Sequence, residues 1–339
     1  MSLFTSELRR FFARRLVRIM LLVVLGLLAV AAISTAVRNQ RSTQADLDNA
    51  RHQVAVQQGV ISQQRAACLR EQADPRAGNG DFGQLPPGVS CAQAYDPSTV
   101  QLASYLPSRW DFAARAGGML ELFAGLLALL AFAVGASFVG AEWSSGGMVN
   151  LLLWQPRRLR LLGTKLGALA AAVLLSGLAL LVAWVGMLCV IALTRGYFGH
   201  VTPGLVRSLS LLGARAFGLG LVAAFLGFAI ASIGRATSLA LGIAIGYVVI
   251  VEVGARIVLQ NVLRVDHPEK FLLSTYFSAW LSKGRSSAIS NCTIDPVSGE
   301  VCVTSHWSVG MYAAGGLLAV IAVALLAWAF TSFRRNDVA

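Results

Sequence analysis

The chain has 339 residues, of which 56% are hydrophobic and only 13% are charged. Since soluble domains carry about 25% charged residues, this composition excludes an ordinary soluble protein and indicates a polytopic membrane protein. The formal net charge of +12 could also suggest a nucleic-acid binder, but basic residues that orient a membrane protein explain it better, and we expect no nucleic-acid partner.

Six apolar runs are long enough for transmembrane helices, because about 20 apolar residues cross the hydrocarbon core of a bilayer. The predicted spans are 16–37, 116–140, 166–194, 209–233, 238–258 and 308–331. The short basic segments all fall on one side, which the positive-inside rule assigns to the cytoplasm. We therefore predict an all-α protein of the cell membrane with six transmembrane helices and both termini in the cytoplasm.

Residues 1–15 precede the first span and combine apolar with basic side chains. This pattern predicts an amphipathic helix lying in the inner headgroup plane, with a cytoplasmic extension of the first span as the alternative. The basic start, the apolar run and the small residues Ala29 to Ala31 also resemble a signal peptide. Because the apolar run continues to Val37, we expect the first span to be retained.

The connection of residues 38–115 is predicted to lie outside the cytoplasm. It begins with a helical region, since apolar residues from Leu47 to Leu69 approximate one helical stripe. This region binds a partner, shields an exit or acts as a passive spacer. Cys68 and Cys91 fall within it, and we expect them to form a disulfide in that oxidising compartment.

The second long connection, residues 259–307, contains the apolar stretch "FLLSTYFSAWLS". It is too short to cross the membrane and return as two spans, so we predict a re-entrant or interfacial helix on the outer side. The following "NCTIDPVSGEVCVTS" has two strand-like runs around a turn. That pattern predicts a hairpin closed by a disulfide between Cys292 and Cys302.

The residue patterns needed for catalysis by this chain are missing. No Gly-Lys dipeptide occurs, which excludes a Walker A phosphate loop. The four histidines are scattered without metal-ligand spacing, and there is no nucleophile elbow or carboxylate pair suited to hydrolysis. We therefore predict that the chain is not an enzyme and binds no metal or cofactor, so that energy for any work comes from a gradient or another subunit.

A cytoplasmic segment, residues 141–165, joins the second and third spans and carries "AEWSSGGMVNLLLWQPRRLRLLGTK". Ser144 or Ser145 can cap a short helix that Pro156 ends. The apolar face of this helix would carry Met148, Leu151 and Leu152, and Arg157 and Arg158 would follow it. The pattern alone fits an interfacial anchor and a helix bound in a partner's groove equally well.

"GAEWSSGGMVNLLLWQPRRLRLLGTKL" resembles the intracellular loop of ABC-2 type permeases, in which a pattern close to E-x-S-S-G-T, a leucine run, Pro, Arg and then Lys joins the second and third spans. The matching residues are Glu142, Ser144, Ser145, Gly146, the leucines, Pro156, Arg157, Arg158 and Lys165. Gly147 departs from the family, which usually has Thr or a larger residue there. The long 38–115 connection departs from the compact members.

The resemblance implies an ABC-2 (type V-like) permease fold and a coupling helix that enters a cleft of a separate ATPase. Trp143, Met148, Leu151 and Leu152 would insert into the ATPase, Glu142 would orient the loop, and Arg157 and Arg158 would hold its far end. The expected partners are ABC ATPase subunits, a second permease copy or homologue, and membrane lipid. ATP and Mg would bind to the ATPase subunits.

Four ionisable residues are predicted to lie in the outer half of the spans: Glu121, Arg215, Glu252 and Arg256. Charges in spans are costly, so they normally pair or face water. Glu252 and Arg256 have the i, i+4 spacing that favours an ion pair. The residues therefore form either a structural ion-pair layer or a gate on the transport path.

We predict the membrane permease of an ABC transporter, powered by a separate ATPase. The resemblance implies export, and an apolar pathway favours a hydrophobic or amphiphilic substrate such as a lipid, antibiotic or drug. A gradient-driven secondary transporter is one alternative, although it predicts inverted repeats and charges near the midplane. A membrane scaffold or sensor without transport is the other.

Overall fold

The computed structural model describes residues 3–39, 43–74, 89–107, 109–147, 158–295 and 299–335. Within these ranges, six helices are long and apolar enough to cross a membrane, as the sequence predicts. The chain is a predominantly helical, multi-pass membrane protein. Its span helices are α2 (Arg15–Arg38), α5 (Phe112–Ser144), α6 (Arg158–Arg195), α7 (Pro203–Gly234), α8 (Thr237–Tyr247) with its continuation to Val262, and α10 (Met311–Arg335).

The other elements lie before and between the spans. The remaining helices are α1 (Leu3–Ala13), α3 (Gln44–Ala73), α4 (Cys91–Ala94) and α9 (Leu273–Leu281). The strands are β1 (Trp110–Asp111), β2 (Gly196–Tyr197), β3 (Gly284–Asp295) and β4 (Gly299–Gly310). The chain divides into one compact unit of Met1–Ala31, Ala113–Leu188 and Gly199–Ala339, and a second of Ala32–Phe112 and Cys189–Phe198.

In the second unit, α3 begins with a reciprocal cap. The Thr43 side chain accepts the Asp46 N–H, and the Asp46 carboxylate accepts the Thr43 N–H. A disulfide joins Cys68 near the end of α3 to Cys91 at the start of α4, as predicted. The two-residue strands β1 and β2 pair in parallel, and Gly196 is needed there because a Cβ would collide with the Trp110 carbonyl.

In the first unit, the second and fourth spans form the centre. Within an 18-residue apolar stretch of each span, 61% of the residues are buried in α5 and 56% in α7. No other span described exceeds 28%. Small residues let the two backbones touch, since a Cβ at Gly135 would collide with the Ala224 carbonyl and one at Gly227 with the Phe132 carbonyl. Close approach of this kind replaces the hydrophobic driving force that is absent within lipid.

The two ends of this unit carry different structures. At the motif end, where α5 ends and α6 begins, lie α1 and the turn between α7 and α8. At the hairpin end, the antiparallel pair β3–β4 has Cys292 opposite Cys302, and a disulfide joins them. The predicted hairpin and disulfide are thus present, but each strand has twelve residues. Because β4 continues to Gly310, the sixth span begins at Met311 rather than at 308.

The fifth span changes its winding along its length. It is α-helical from Thr237 to Tyr247 and then π-helical over Val248–Ala255 and Val258–Val262. It therefore ends four residues beyond the predicted boundary at 258. The sequence of this stretch has no proline, and its apolar composition predicts a span without revealing the wider winding.

Candidate functional site

Four charged side chains meet at the motif end, and we call Glu7, Arg14, Glu142 and Lys165 the charge cluster. The Lys165 Nζ donates a hydrogen bond of 2.9 Å to Glu7 Oε2. It also lies 2.7 Å from Glu142 Oε2, as an ion pair without hydrogen-bond geometry. The Arg14 Nη2 donates to Glu142 Oε1 at 2.6 Å. The two acids and two bases of the cluster balance in charge, and the exposed Arg10 adds a further ion pair to Glu7 Oε1 at 3.6 Å.

Burial makes this balance necessary. The exposed fraction is 0% for Lys165, 1% for Glu7 and 9% for Glu142. Removing a charge from water costs several kcal/mol, roughly, even after the protein relaxes. Only mutual pairing and hydrogen bonding repay that cost, so the cluster holds α1, α5 and α6 in one relative arrangement.

Arg14 and Phe138 connect the charge cluster to the backbone of the second span. Arg14 is the single residue between α1 and α2, and its Nη1 donates to the carbonyls of Ser137 and Phe138 at 3.0 Å each. The Phe138 ring lies 4.9 Å from the Arg14 guanidinium carbon and 5.1 Å from the Lys165 Nζ. Phe11 of α1 packs edge-on against the same ring. Both cations thus gain cation–π stabilisation as well as ion pairs.

Trp143, the residue after Glu142, packs against other side chains of the same chain. The Trp143 ring meets Phe333 edge-on at 5.9 Å and lies under the Arg235 guanidinium at 5.0 Å. Arg235 adopts the left-handed conformation, with φ of 53°, in the turn between α7 and α8. The structure therefore places the Trp143 indole against the ends of the fourth and sixth spans, whereas the family resemblance implies insertion into an ATPase.

The second span also touches the start of the fifth span directly. A Cβ at Gly140 would lie 2.5 Å from the backbone nitrogen of Thr237, so only glycine allows this approach. Ser144 is the last residue of α5, and Gly146 turns the chain with φ of 70°. Gly140 and Trp143 thus lie where the end of the second span meets the start of the fifth span and the end of the sixth.

The other residues predicted to contact an ATPase follow Trp143 in the chain. Met148, Leu151, Leu152 and Arg157 lie outside the described residues, as does the side chain of Arg158, whose backbone begins α6. Of the predicted coupling residues, the structure therefore describes the side chains of Glu142 and Trp143.

The four ionisable residues predicted for the outer half do not form a layer. Within the described residues, no ion pair joins any two of them, and Glu121 and Arg256 are exposed. Glu252 accepts hydrogen bonds from Ser274, and Arg215 donates to the carbonyl of Leu281. Glu252 and Arg215 therefore hold opposite ends of α9 instead of pairing with neighbouring span residues.

Sequence reasoning missed Glu7 as a site residue. One signal was available, because Glu7 is the sole acidic residue among the first 45, and a lone acid amid arginines on an otherwise apolar helix is unusual. Its partner is 158 positions away, however, and spacing within α1 cannot indicate that distance. In the described ranges, no group of His, Cys, Asp and Glu side chains could hold a metal ion.

A family comparison over nearly the whole chain supports the family that the motif indicates. The family model described as "ABC-2 family transporter protein" matches residues 1–338. Neither a curated protein nor a solved structure matches the chain. The family match covers nearly every residue, and the six apolar helices and the motif at residues 142–165 are on the same chain. The protein therefore belongs to the ABC-2 transporter family, as a multi-pass membrane permease.

Proposed function

We propose that this permease works with separate ATPase subunits and a second permease, and exports a hydrophobic or amphiphilic substrate across the cell membrane. The motif end would face the cytoplasm, since the arginines of residues 9–18 lie there and basic residues stay on the inner side. ATP and Mg would be held by the ATPase, because this sequence has no phosphate loop of its own.

The charge cluster is the observation that carries this proposal. Glu142 precedes the 148–157 segment and Lys165 follows it, yet their side chains lie 2.7 Å apart. Both ends of the segment are thus fastened at one buried point. A force that an ATPase applies to the segment would act on the second and third spans together rather than bending a loop.

Helix α1 would move with those spans. Glu7 and Arg14, the residue that follows α1, join this helix to Lys165 and Glu142 through buried and partly buried charge-assisted contacts, which are stronger than neutral hydrogen bonds. An ATP-driven shift of the segment would therefore carry α1, α5 and α6 as one body. The Gly140–Thr237 contact would pass the same movement to the fifth span.

The substrate class follows from the lining available within the spans. The residues of the six spans are overwhelmingly apolar, with a mean hydropathy of 2.0 to 2.8 over an 18-residue stretch of each span. A sugar or an ion needs polar groups to replace its hydration, whereas a lipid or amphiphilic drug does not. We therefore assign the transported molecule to the hydrophobic or amphiphilic class.

Co-purification with an ATPase tests the proposal. The tagged wild type is compared with a Met148→Asp, Leu152→Asp double variant, and ATP hydrolysis by each preparation is measured. The matched control is Val56→Asp, Val60→Asp, which has the same i, i+4 spacing on the exposed side of α3. We expect the wild type and the control to bring down an active ATPase and the first variant to lose it.

Two results would contradict the proposal. If no preparation retains an ATPase, transport driven by a gradient becomes the better hypothesis. If the Met148→Asp, Leu152→Asp variant retains a fully active ATPase, the ATPase grips another part of the permease. Size-exclusion profiles and membrane insertion of each variant show whether a loss of binding reflects misfolding.

A further inference from the structure

The N-terminus of α9 is held by two side chains of the fifth span. The Leu273 N–H donates to the Tyr247 hydroxyl oxygen at 3.2 Å, and the Ser274 N–H donates to Glu252 Oε1 at 2.9 Å. The Ser274 hydroxyl donates to Glu252 Oε2 at 2.6 Å. These bonds satisfy helix-start N–H groups that have no partner within α9, and a carboxylate is also the charge that a helix N-terminus favours.

The π-helical winding brings the two side chains together. Tyr247 and Glu252 are five residues apart, and the Tyr247 hydroxyl donates to Glu252 Oε1 at 3.1 Å. In a π-helix, with its i to i+5 hydrogen bonds, such residues lie one turn apart on the same face. In an α-helix they would point about 140° apart. The two-point hold on α9 therefore depends on the wider winding of Val248–Ala255.

The other end of α9 is fastened to different spans. The Arg215 Nη1 of α7 donates to the Leu281 carbonyl at 3.0 Å, and the Trp280 indole N–H donates to the Arg215 carbonyl at 3.0 Å. The Trp280 ring occupies a slot between Gly218 of α7 and Gly315 of α10, where a Cβ on Gly315 would collide with it. The C-terminal end of α9 can thus stay in place if its N-terminal end is released.

The fifth span is also the least restrained of the six described. Only 6% of its most apolar window is buried within the chain, so rewinding it would disturb few packed side chains. At the motif end, its first residue, Thr237, touches Gly140 of the second span. The span therefore runs from the candidate coupling region to the residues that hold α9.

We propose that the fifth span alternates between π- and α-helical windings, and that Tyr247 and Glu252 dock α9 in the first and release it in the second. Released α9 pivots about Trp280 and opens the hairpin end of the permease. The link of this switch to ATP hydrolysis rests on the proposed function, whereas the switch itself belongs to the permease alone. Tyr247 and Glu252 are thus positioning residues for the outer opening.

Hydrogen exchange of the isolated permease in lipid nanodiscs tests the switch. Wild type, Glu252→Ala and Arg256→Ala are compared, the last being a charged residue of the same span with no described contact to α9. In Glu252→Ala we expect exchange at Leu273 and Ser274 to rise about tenfold or more, as befits the loss of charge-assisted bonds. Exchange over residues 248–262 should slow, because the span relaxes to the more regular α-helix. Arg256→Ala should change neither.

The sign of the change in the fifth span separates a switch from simple loosening. Faster exchange in both segments would show that Glu252 merely stabilises the hairpin end, and would overturn the proposal. Unchanged exchange in α9 would overturn the docking role itself. Neither result depends on an ATPase, so failure of the proposed function is detected separately by the co-purification experiment.

A deletion provides a second test of the winding. Removing Ile250 places Tyr247 and Glu252 four residues apart, a spacing that an α-helix brings onto one face. We expect the variant to protect α9 at least as well as wild type while residues 248–262 exchange more slowly. Loss of α9 protection in a folded deletion variant would contradict the proposed dependence on winding.

Discussion

Lys165 and Glu7 are hydrogen-bonded at 2.9 Å although 158 residues separate them, and neither exposes more than 1% of its side-chain surface. The ammonium also neutralises Glu142, so a single cation serves two acids from different helices. A buried cation in this position is costly to remove, because Glu7 loses its buried partner and Glu142 keeps only Arg14. Because Glu7 lies in α1 and Lys165 in the third span, breaking this pair tests whether α1 is bound to the spans.

A Lys165→Met change should destabilise the permease by about 3–5 kcal/mol, the usual cost of breaking a buried pair from one side. Unfolding of the detergent-solubilised protein, followed by tryptophan fluorescence in denaturant, measures the loss. The exposed Lys270 provides the control, since Lys270→Met removes the same charge from the surface. Adding Glu7→Leu to Lys165→Met should recover part of the loss, as the Arg14–Glu142 pair then stays balanced. Equal effects of Lys165→Met and Lys270→Met would contradict the buried cluster.

Adding a methyl group at Gly140 should lower the stability of the permease, whereas adding one at Gly242 should raise it. Gly140→Ala forces a Cβ against Thr237 and should cost about 1–3 kcal/mol, as overpacking does. Gly242→Ala meets nothing within 4 Å and should stabilise by about 0.4–1 kcal/mol through the unfolded state. Thermal unfolding of the two variants side by side gives the signs. If Gly140→Ala is neutral, the second and fifth spans do not touch as described.

Trp143→Ala should lower the free energy of unfolding of the isolated permease, with no ATPase present. The indole packs on Phe333 and Arg235, and its partial burial predicts a loss of about 1–3 kcal/mol in unfolding free energy. Trp328, with 59% of its surface exposed, is the matched control, and Trp328→Ala should change little. A Trp143→Ala permease as stable as wild type, yet unable to bind an ATPase, would instead support the role implied by the family resemblance.

Alkylation under denaturing conditions should count one free thiol before reduction and five after it. The five cysteines all fall in the described ranges, where two disulfides leave Cys189 as the free thiol. Mass spectrometry of the alkylated peptides identifies which residue reacted. More than one labelled cysteine in protein isolated from the membrane would contradict at least one disulfide.

The contact of Glu269 with the β3–β4 hairpin, through Ser287 of β3, should weaken in acid. Burial alone would raise the pKa of Glu269, but hydrogen bonds from its own N–H, Ser287 and His267 outweigh it and lower that pKa below 4.5. A lowered pKa means that the stabilisation is fully present above 4.5 and is lost as the pH falls through the folded-state value. Proteolysis of the hairpin between pH 6 and 3 should therefore accelerate only below 4.5. In Glu269→Gln this dependence on pH should be much reduced.

The sequence predicts the parts of this fold that depend on local composition. Apolar length reveals the six spans, and the cysteine spacing around Asp295 and Gly299 reveals the hairpin and its disulfide. The contacts of Glu252 do not depend on local composition. Its i, i+4 neighbour Arg256 suggested an ion pair, but the available N–H groups of α9 compete for the same carboxylate. Contacts such as these depend on which loop folds back against which span, and spacing within one helix does not contain that information.

The distance along the chain between Glu7 and Lys165 also dictates an order of assembly during synthesis. At about 5–20 residues per second, Lys165 is made roughly 8–32 s after Glu7, given their separation of 158 residues. Until then, the Glu7 carboxylate has no cation from the third span and is solvated most cheaply at the membrane surface. We therefore expect helix α1 to stay at the membrane–water interface and to reach its buried position only after the third span has been inserted. Nascent chains truncated before residue 165 should leave Glu7 open to modification from the water.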